Sequence, residues 1–276
     1  MRLLFKVLSF LPLVVLHGVG WALGWAVFLM SGTYRGRLIA NAQQAGVGRT
    51  SWMKSVGAAG QLVAELPRLW AGAPVPVQWS GEAHIEDALR LGKGILFLTP
   101  HLGCFEVAAQ AYAAKFGQYG QPITVLFRPP RPSWLRSLVE QSRKRPGLMT
   151  APTTLAGVKQ MVRALKAGEC VGLLPDQVPP EGQGEWTPFF GKQAHTMTLS
   201  VRLAAQTGAT VLFAWGERLA WGRGYRVHVQ SFPQTWSVSM PEALQQMNRV
   251  LETMVLHASQ QYLWGYARYK QPRAAA

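Results

Sequence analysis

Cysteine is scarce in this sequence, and acid is scarce beside base. Its 276 residues include two cysteines, Cys104 and Cys170, and neither stands in a C-x-x-C pair or a His/Cys cluster with metal-ligand spacing. That excludes a disulfide-stapled scaffold and argues against a structural zinc, leaving two packed thiols in a reducing compartment as the expectation. Asp and Glu number 13 against 28 Lys and Arg, a formal charge of +15. So basic a chain is drawn to nucleic acid, to an anionic membrane surface or to an acidic protein. Nucleic acid is disfavoured: there is no zinc-finger spacing, ribonucleoprotein motif or basic heptad segment, and the cations are scattered among tryptophans and prolines. A G-x-S-x-G nucleophile elbow is also missing, which argues against a serine hydrolase.

Hydrophobic residues, by contrast, make up 49% of the chain. The run VLSFLPLVVLHGVGWALGWAVFLMSG, residues 7–32, carries no formal charge when His17 is neutral and is long enough to span a bilayer. Arg2 and Lys6 precede it and Arg35 and Arg37 follow, so the flanking charge does not fix an orientation. Pro12, His17 and several glycines leave room for a broken or interfacial helix. The run is long and lacks an A-x-A cleavage site, which favours an embedded segment over a removed leader. Residues 1–32 are therefore expected to be membrane-embedded and residues 33–276 to form one domain, with no repeat or interdomain linker.

After a helical lead-in ending near Pro67, strand patterns at 75–79, 95–99, 123–127, 169–174, 210–216 and 225–229 alternate with helical ones at 85–91, 104–116, 133–144, 155–167 and 198–207. A last helix is expected over 241–261. Such alternation predicts an α/β fold with a mixed, largely parallel sheet flanked by helices. The stretch 175–193, rich in Gly, Pro and acid, reads as a long irregular loop of functional kind.

Several strands end in polar residues beside a proline: LFLTPH delivers His101, TVLFRPP delivers Arg128, and VGLLPDQ delivers Asp176 and Gln177. The carboxyl edge of an open α/β sheet is where ligands bind. His101 and Glu106 stand five apart, about 140° around a regular helix, and could converge only if His101 lies on the strand-to-helix turn and Glu106 in the first helical turn. There a carboxylate would hold the imidazole tautomer and favour the imidazolium, which is general-base geometry. Asp176, from another strand, could orient His101 instead. Glu106 is expected in that role, with Asp176 as the alternative.

These blocks resemble the lipid A biosynthesis lauroyl/myristoyl acyltransferases, within the wider lysophospholipid acyltransferase superfamily, over nearly the whole chain. HLGCFE matches the family's H-x4-D/E motif through His101 and Glu106; FRPPRPSWLRSLVEQSR resembles its second block; LLPDQ and TPFFGKQAHTMTLSVRLAAQTGA resemble its third. YLWGYARYK is similar to the W-x-H-R-R-F/Y-K ending, with Tyr266 and Ala267 where many members carry His-Arg, and Cys104 stands where Asn is frequent in the first block. The resemblance implies a glycerolipid acyltransferase-like fold at the inner membrane of a Gram-negative bacterium, with its catalytic face in the cytoplasm. It further implies transfer of a fatty acyl group from acyl carrier protein, or less often coenzyme A, to a lipid hydroxyl, with neither metal nor cofactor. His101 would be the base, and Arg128 or backbone amides at the helix start near Cys104 would hold the oxyanion. Arg128, Arg131, Arg143 and Lys144 would grip acceptor phosphates, with Gln177 and His195 completing the substrate site. His17, His84, His228 and His257 are read as structural or surface residues. Competing readings are a lysophospholipid or ornithine-lipid acyltransferase and a catalytically inactive lipid-binding protein of the same fold.

Overall fold

The computed structural model describes residues 2–127, 145–232 and 235–274. Two helices open the chain, α1 (Arg2–Leu8) and α2 (Leu13–Met30), broken at Pro12, whose ring cannot continue a helix begun upstream. Three more follow: α3 (Gly32–Gln44), α4 (Arg49–Ala64) and α5 (Leu66–Ala71). The alternating part then runs β1 (Val77–Ser80), α6 (Ala83–Leu91), β2 (Ile95–Leu98), α7 (Phe105–Lys115), β3 (Ile123–Phe127), β4 (Leu148–Pro152), α8 (Leu155–Lys166) and β5 (Cys170–Leu173). A hairpin of β6 (Gly184–Phe189) and β7 (Lys192–Met197) leads to α9 (Leu199–Thr207), β8 (Thr210–Arg218), β9 (Tyr225–Ser231) and α10 (Met240–His257).

Seven strands form one sheet in the order β1-β9-β8-β2-β5-β3-β4. From β8 to β4 every neighbour is parallel; β9 runs antiparallel to β8 and carries β1 parallel to itself. Strand β2, ILFL, is buried at every position because both faces are covered, as parallel strands require. Ile95 and Phe97 pack toward α6 and α7 with Ile85, Val107 and Tyr112, while Leu96 and Leu98 pack with Met161, Leu165 and Leu244 on the other side. Sequence reading missed β4 and the hairpin, which lies inside the stretch expected to be irregular. The helix expected over 133–144 falls outside the described residues.

The N-terminal helices are part of this fold. Leu13, Leu16, His17, Gly20, Gly24 and Phe28 of α2 are buried. Gly20 and Gly24 meet Gly60 and Val56 of α4 so closely that a Cβ on any of the three glycines would strike backbone of the other helix. At the end of this pair Glu65, fully buried, accepts from His17 Nε2 at 3.0 Å, from Arg218 Nε and Nη2 at 2.7 and 2.6 Å and from the Tyr225 hydroxyl at 2.8 Å. Burial alone would raise its carboxyl, but the Arg218 charge and hydrogen bonds, aided by His17, hold it down to about 2.

Candidate active site

Strand β2 ends at Leu98; the Thr99 amide still bonds Leu173 O of β5, and Pro100 stops the ladder. His101 then sits on the turn into α7, and Glu106 in the first turn of α7, as the spacing predicts. Gly103 adopts φ +59°, and a Cβ there would strike Gly216 O of β8, so the turn needs a glycine. The segment after α10 clamps it: the Gly103 amide donates to Gln261 O at 3.0 Å, the Cys104 amide to Gly216 O at 2.7 Å, and the Leu263 amide to His101 O at 3.2 Å. The Gln261 side chain pairs with Arg218 N and O, at 2.9 and 3.1 Å, tying the catalytic turn to the Glu65 cluster.

The carboxylate that meets the imidazole is Asp176. Its Oδ1 lies 2.6 Å from His101 Nδ1, while Oδ2 accepts from the His101 amide at 2.9 Å and from the Tyr262 hydroxyl at 3.2 Å. Its side chain is 1% exposed against 15% for His101. Burial would raise the Asp176 carboxyl, but the His101 charge and hydrogen bonds and the nearby Arg268 charge outweigh it and hold it below the ordinary carboxylate range. Because Nδ1 faces Asp176, Nε2 is the nitrogen left for a ligand, and it makes no hydrogen bond among the described residues. Glu106, the expected partner, points elsewhere: its Oε2 accepts from Trp70 Nε1 of α5 at 3.3 Å. The Phe105 ring, 5.0 Å from the imidazole, occupies that side of His101.

An apolar cavity lies between the sheet and α7 and reaches Thr99 and Phe105 on either side of the His101 turn. Thr99, Phe105, Tyr112, Val125, Gly172 and Trp79 are among its walls. Phe105 thus touches both the imidazole and the cavity. Tyr112 closes one side, its hydroxyl 2.8 Å from Cys170 Sγ. Both cysteines are buried, and burial pushes the Cys170 thiol up to about 12 and the Cys104 thiol well above its usual value, so neither is poised as a nucleophile.

The other expected site residues divide. Arg128, Arg131, Arg143 and Lys144 lie outside the described residues. Gln177 is half-buried next to Asp176. His195 is not on an open loop; it is buried in β7 with its ring 5.4 Å from Trp186, and its carbonyl accepts from Arg268 Nη1 at 2.7 Å. The amides of Leu102, Gly103 and Cys104 are all engaged and are not available to an oxyanion. Sequence reading missed Tyr262, Gln261 and Arg268, which come from the C-terminal block, and the cavity wall. It also missed Arg145, which donates to Leu69 O and lies near Glu106. Tyr266, where many of the resembled family carry His, accepts from the Val178 amide at 2.9 Å and so braces the loop after Asp176.

The His101–Asp176 pair at the carboxyl edge of the sheet, with an apolar cavity nearby, is the candidate site. The model for bacterial lipid A biosynthesis acyltransferases matches residues 53–271, and the chain belongs to that family. It is 27% identical over 197 residues to the lipid A biosynthesis lauroyltransferase of Escherichia coli K12, covering 69% of this chain and 60% of that protein. It is 25% identical over 192 residues to the palmitoleoyltransferase of the same strain, again covering 60% of the relative. A lipid A biosynthesis acyltransferase of Haemophilus influenzae is 26% identical over 190 residues, 57% of its length.

Proposed function

We propose that the chain transfers a fatty acyl group from an acyl-carrier-protein thioester to a hydroxyl of a lipid A precursor, at the cytoplasmic face of the inner membrane. The observation that carries this reading is the 2.6 Å contact between His101 Nδ1 and Asp176, which leaves Nε2 for the acceptor. An alcohol ionises far above neutral pH, so its attack on a thioester needs a base at hydrogen-bond distance. His101 Nε2 takes the hydroxyl proton as the acceptor oxygen bonds to the thioester carbonyl carbon and the carbonyl electron pair moves onto its oxygen. Collapse reforms the carbonyl and breaks the C–S bond, and the departing thiolate takes the proton from the imidazolium. Asp176, fixed by Tyr262 and kept ionised, stabilises that imidazolium.

The apolar cavity receives the acyl chain, with the thioester at the Phe105 end beside His101. The carrier protein, acidic by class, is drawn by the +15 charge, and acceptor phosphates by the arginines of 128–144. Residues 1–32 embed the enzyme in the membrane that holds its acceptor. Mass spectrometry of transfer by the purified chain tests the reading, with a panel of acyl-carrier-protein chain lengths and with lipid A precursor and lysophospholipid acceptors. Transfer to the lipid A precursor is expected. Transfer to the lysophospholipid alone would replace the acceptor, and transfer to neither would remove the reading.

A further inference from the structure

Helix α2 is apolar all round, and a helix of that kind needs cover on both sides. One side has it: α4 runs antiparallel along the whole of α2, from the His17–Glu65 bond at one end to the Phe28–Trp52 ring contact, 6.1 Å, at the other. The other side is bare. Val15, Val19, Ala22, Ala26 and Leu29 recur at helical spacing, all exposed and with no charge among them. The bare surface continues past both ends of this stripe. Phe10 before α2 is 72% exposed, and Trp221, on the β8–β9 connection, is 85% exposed. Trp221 is held beside the start of α2 because Gly222 packs against the Val14 backbone.

From these observations we infer that α1, α2 and Trp221 form one face that lies in the plane of a single bilayer leaflet, and that α2 does not cross the membrane. Its 18 residues rise about 27 Å, at the short end of the roughly 17–25 residues that can span a bilayer, so length alone does not decide between crossing and lying flat. An upright α2 would carry α4 down with it, placing the exposed Lys54 and the Glu65–Arg218 end of the domain at hydrocarbon depth, which is costly. Lying flat, the helix buries only its bare stripe. Exposed cations then fall around the face at headgroup level: Lys6 on α1, Arg35 and Arg37 beyond α2, and Arg223 beside Trp221. Arg35 Nη1 also accounts for carbonyls at the helix end, reaching Leu29 O at 3.1 Å. The face borders the site, since Phe5 of α1 packs on Trp70 at 5.9 Å and Trp70 bonds Glu106.

The inference rests on the membrane-embedded reading of residues 1–32, but its test measures depth and not turnover, so either can fail alone. Single cysteines at Val15, Val19, Ala22, Ala26 and Leu29 carry a nitroxide in the full-length protein, reconstituted in vesicles of phosphatidylethanolamine and phosphatidylglycerol. Cys104 and Cys170 are buried, and the unsubstituted chain is the labelling control. Relaxation by oxygen and by a water-soluble nickel chelate gives the depth of each site. An in-plane helix puts all five at one shallow depth, about 5–10 Å below the headgroups. A depth that changes by about 21 Å from Val15 to Leu29, passing the bilayer centre, would overturn it. So would nickel access throughout, which places the stripe in water, or spin–spin broadening between copies, which places a second chain on it. Trp221→Ala should weaken vesicle partitioning about tenfold with an unchanged depth profile at the other sites; unchanged partitioning would remove Trp221 from the face.

Discussion

Of the three histidine–carboxylate pairs among the described residues, the two built on a buried carboxylate differ in what is left over. His17 meets Glu65 at 3.0 Å, and Glu65 also receives two bonds from Arg218 and one from Tyr225, all of it sealed. His101 meets Asp176 at 2.6 Å, and its outer nitrogen makes no hydrogen bond among the described residues. Distance and burial do not separate a structural pair from a working one. The supply of donors does: a carboxylate matched by a permanent cation is finished, whereas one matched by an imidazole can answer a proton that comes and goes. Gln261 links the two, bonding Arg218 through its side chain and Gly103 through its carbonyl. The first pair therefore braces the turn that carries His101.

The contrast fails if the pairs respond alike to substitution. The largest effect is expected at the working pair. His101→Ala should lower kcat by about 10² to 10⁴ with little loss of stability, and adding Asp176→Asn should cost little more, since residues acting as one unit are not additive. Steady-state kinetics of the single and double variants reads this out.

Next comes Glu65→Gln, which strands Arg218 in the core and should cost about 3–5 kcal/mol of stability in denaturant titrations. The sign of its pH dependence follows from the lowered carboxyl. Glu65 contributes stability above its unfolded value of about 4.3 and loses it as pH falls toward its folded value of about 2, so the variant should lose that part of the acid sensitivity.

A change in the cavity should leave both pairs alone. A Cβ on Gly172 would sit 3.3 Å from Val125 Cγ1, close enough that Val125 must shift by a few tenths of an ångström, and 3.6 Å from Ile123 Cδ1, so a larger side chain repacks this wall and takes up cavity space. Gly172→Val should disfavour the longest accepted acyl chain about tenfold, through the loss of room for roughly two methylenes, with kcat for shorter chains kept. Competition between chain lengths measures it. The smallest effect is expected for His17→Leu, about 1–2 kcal/mol, because Glu65 keeps its other donors.

Much of the architecture was legible because period and punctuation agreed: β3 lies at the expected residues, and β2, β5, α6, α7 and α9 within two residues at each end. Strand β4, LMTAP, was missed because its side chains are mostly exposed at the sheet edge and it has no apolar run. The hairpin was missed because Gly, Pro and acid dominate β6, whose pairing is supplied by β7 and not by its own composition. At the site, His101 on the turn and Asp176 at a strand end were both readable, since each follows a buried strand. Their pairing was legible only as the alternative to a Glu106 partner. Preferring Asp176 depends on β2 and β5 lying side by side, which local spacing does not contain. His17, expected to be structural or surface, is structural; its partner Glu65, far along the chain, was not named.

The central claim is that Asp176, and not Glu106, orients the base. Asp176→Asn and Glu106→Gln each keep shape and remove charge, so turnover by the two purified variants, with acyl carrier protein thioester and lipid A precursor at saturation, decides it. The account predicts a fall in kcat of about 10² or more for Asp176→Asn and a change of less than about tenfold for Glu106→Gln. An active Asp176→Asn beside a dead, folded Glu106→Gln would contradict it.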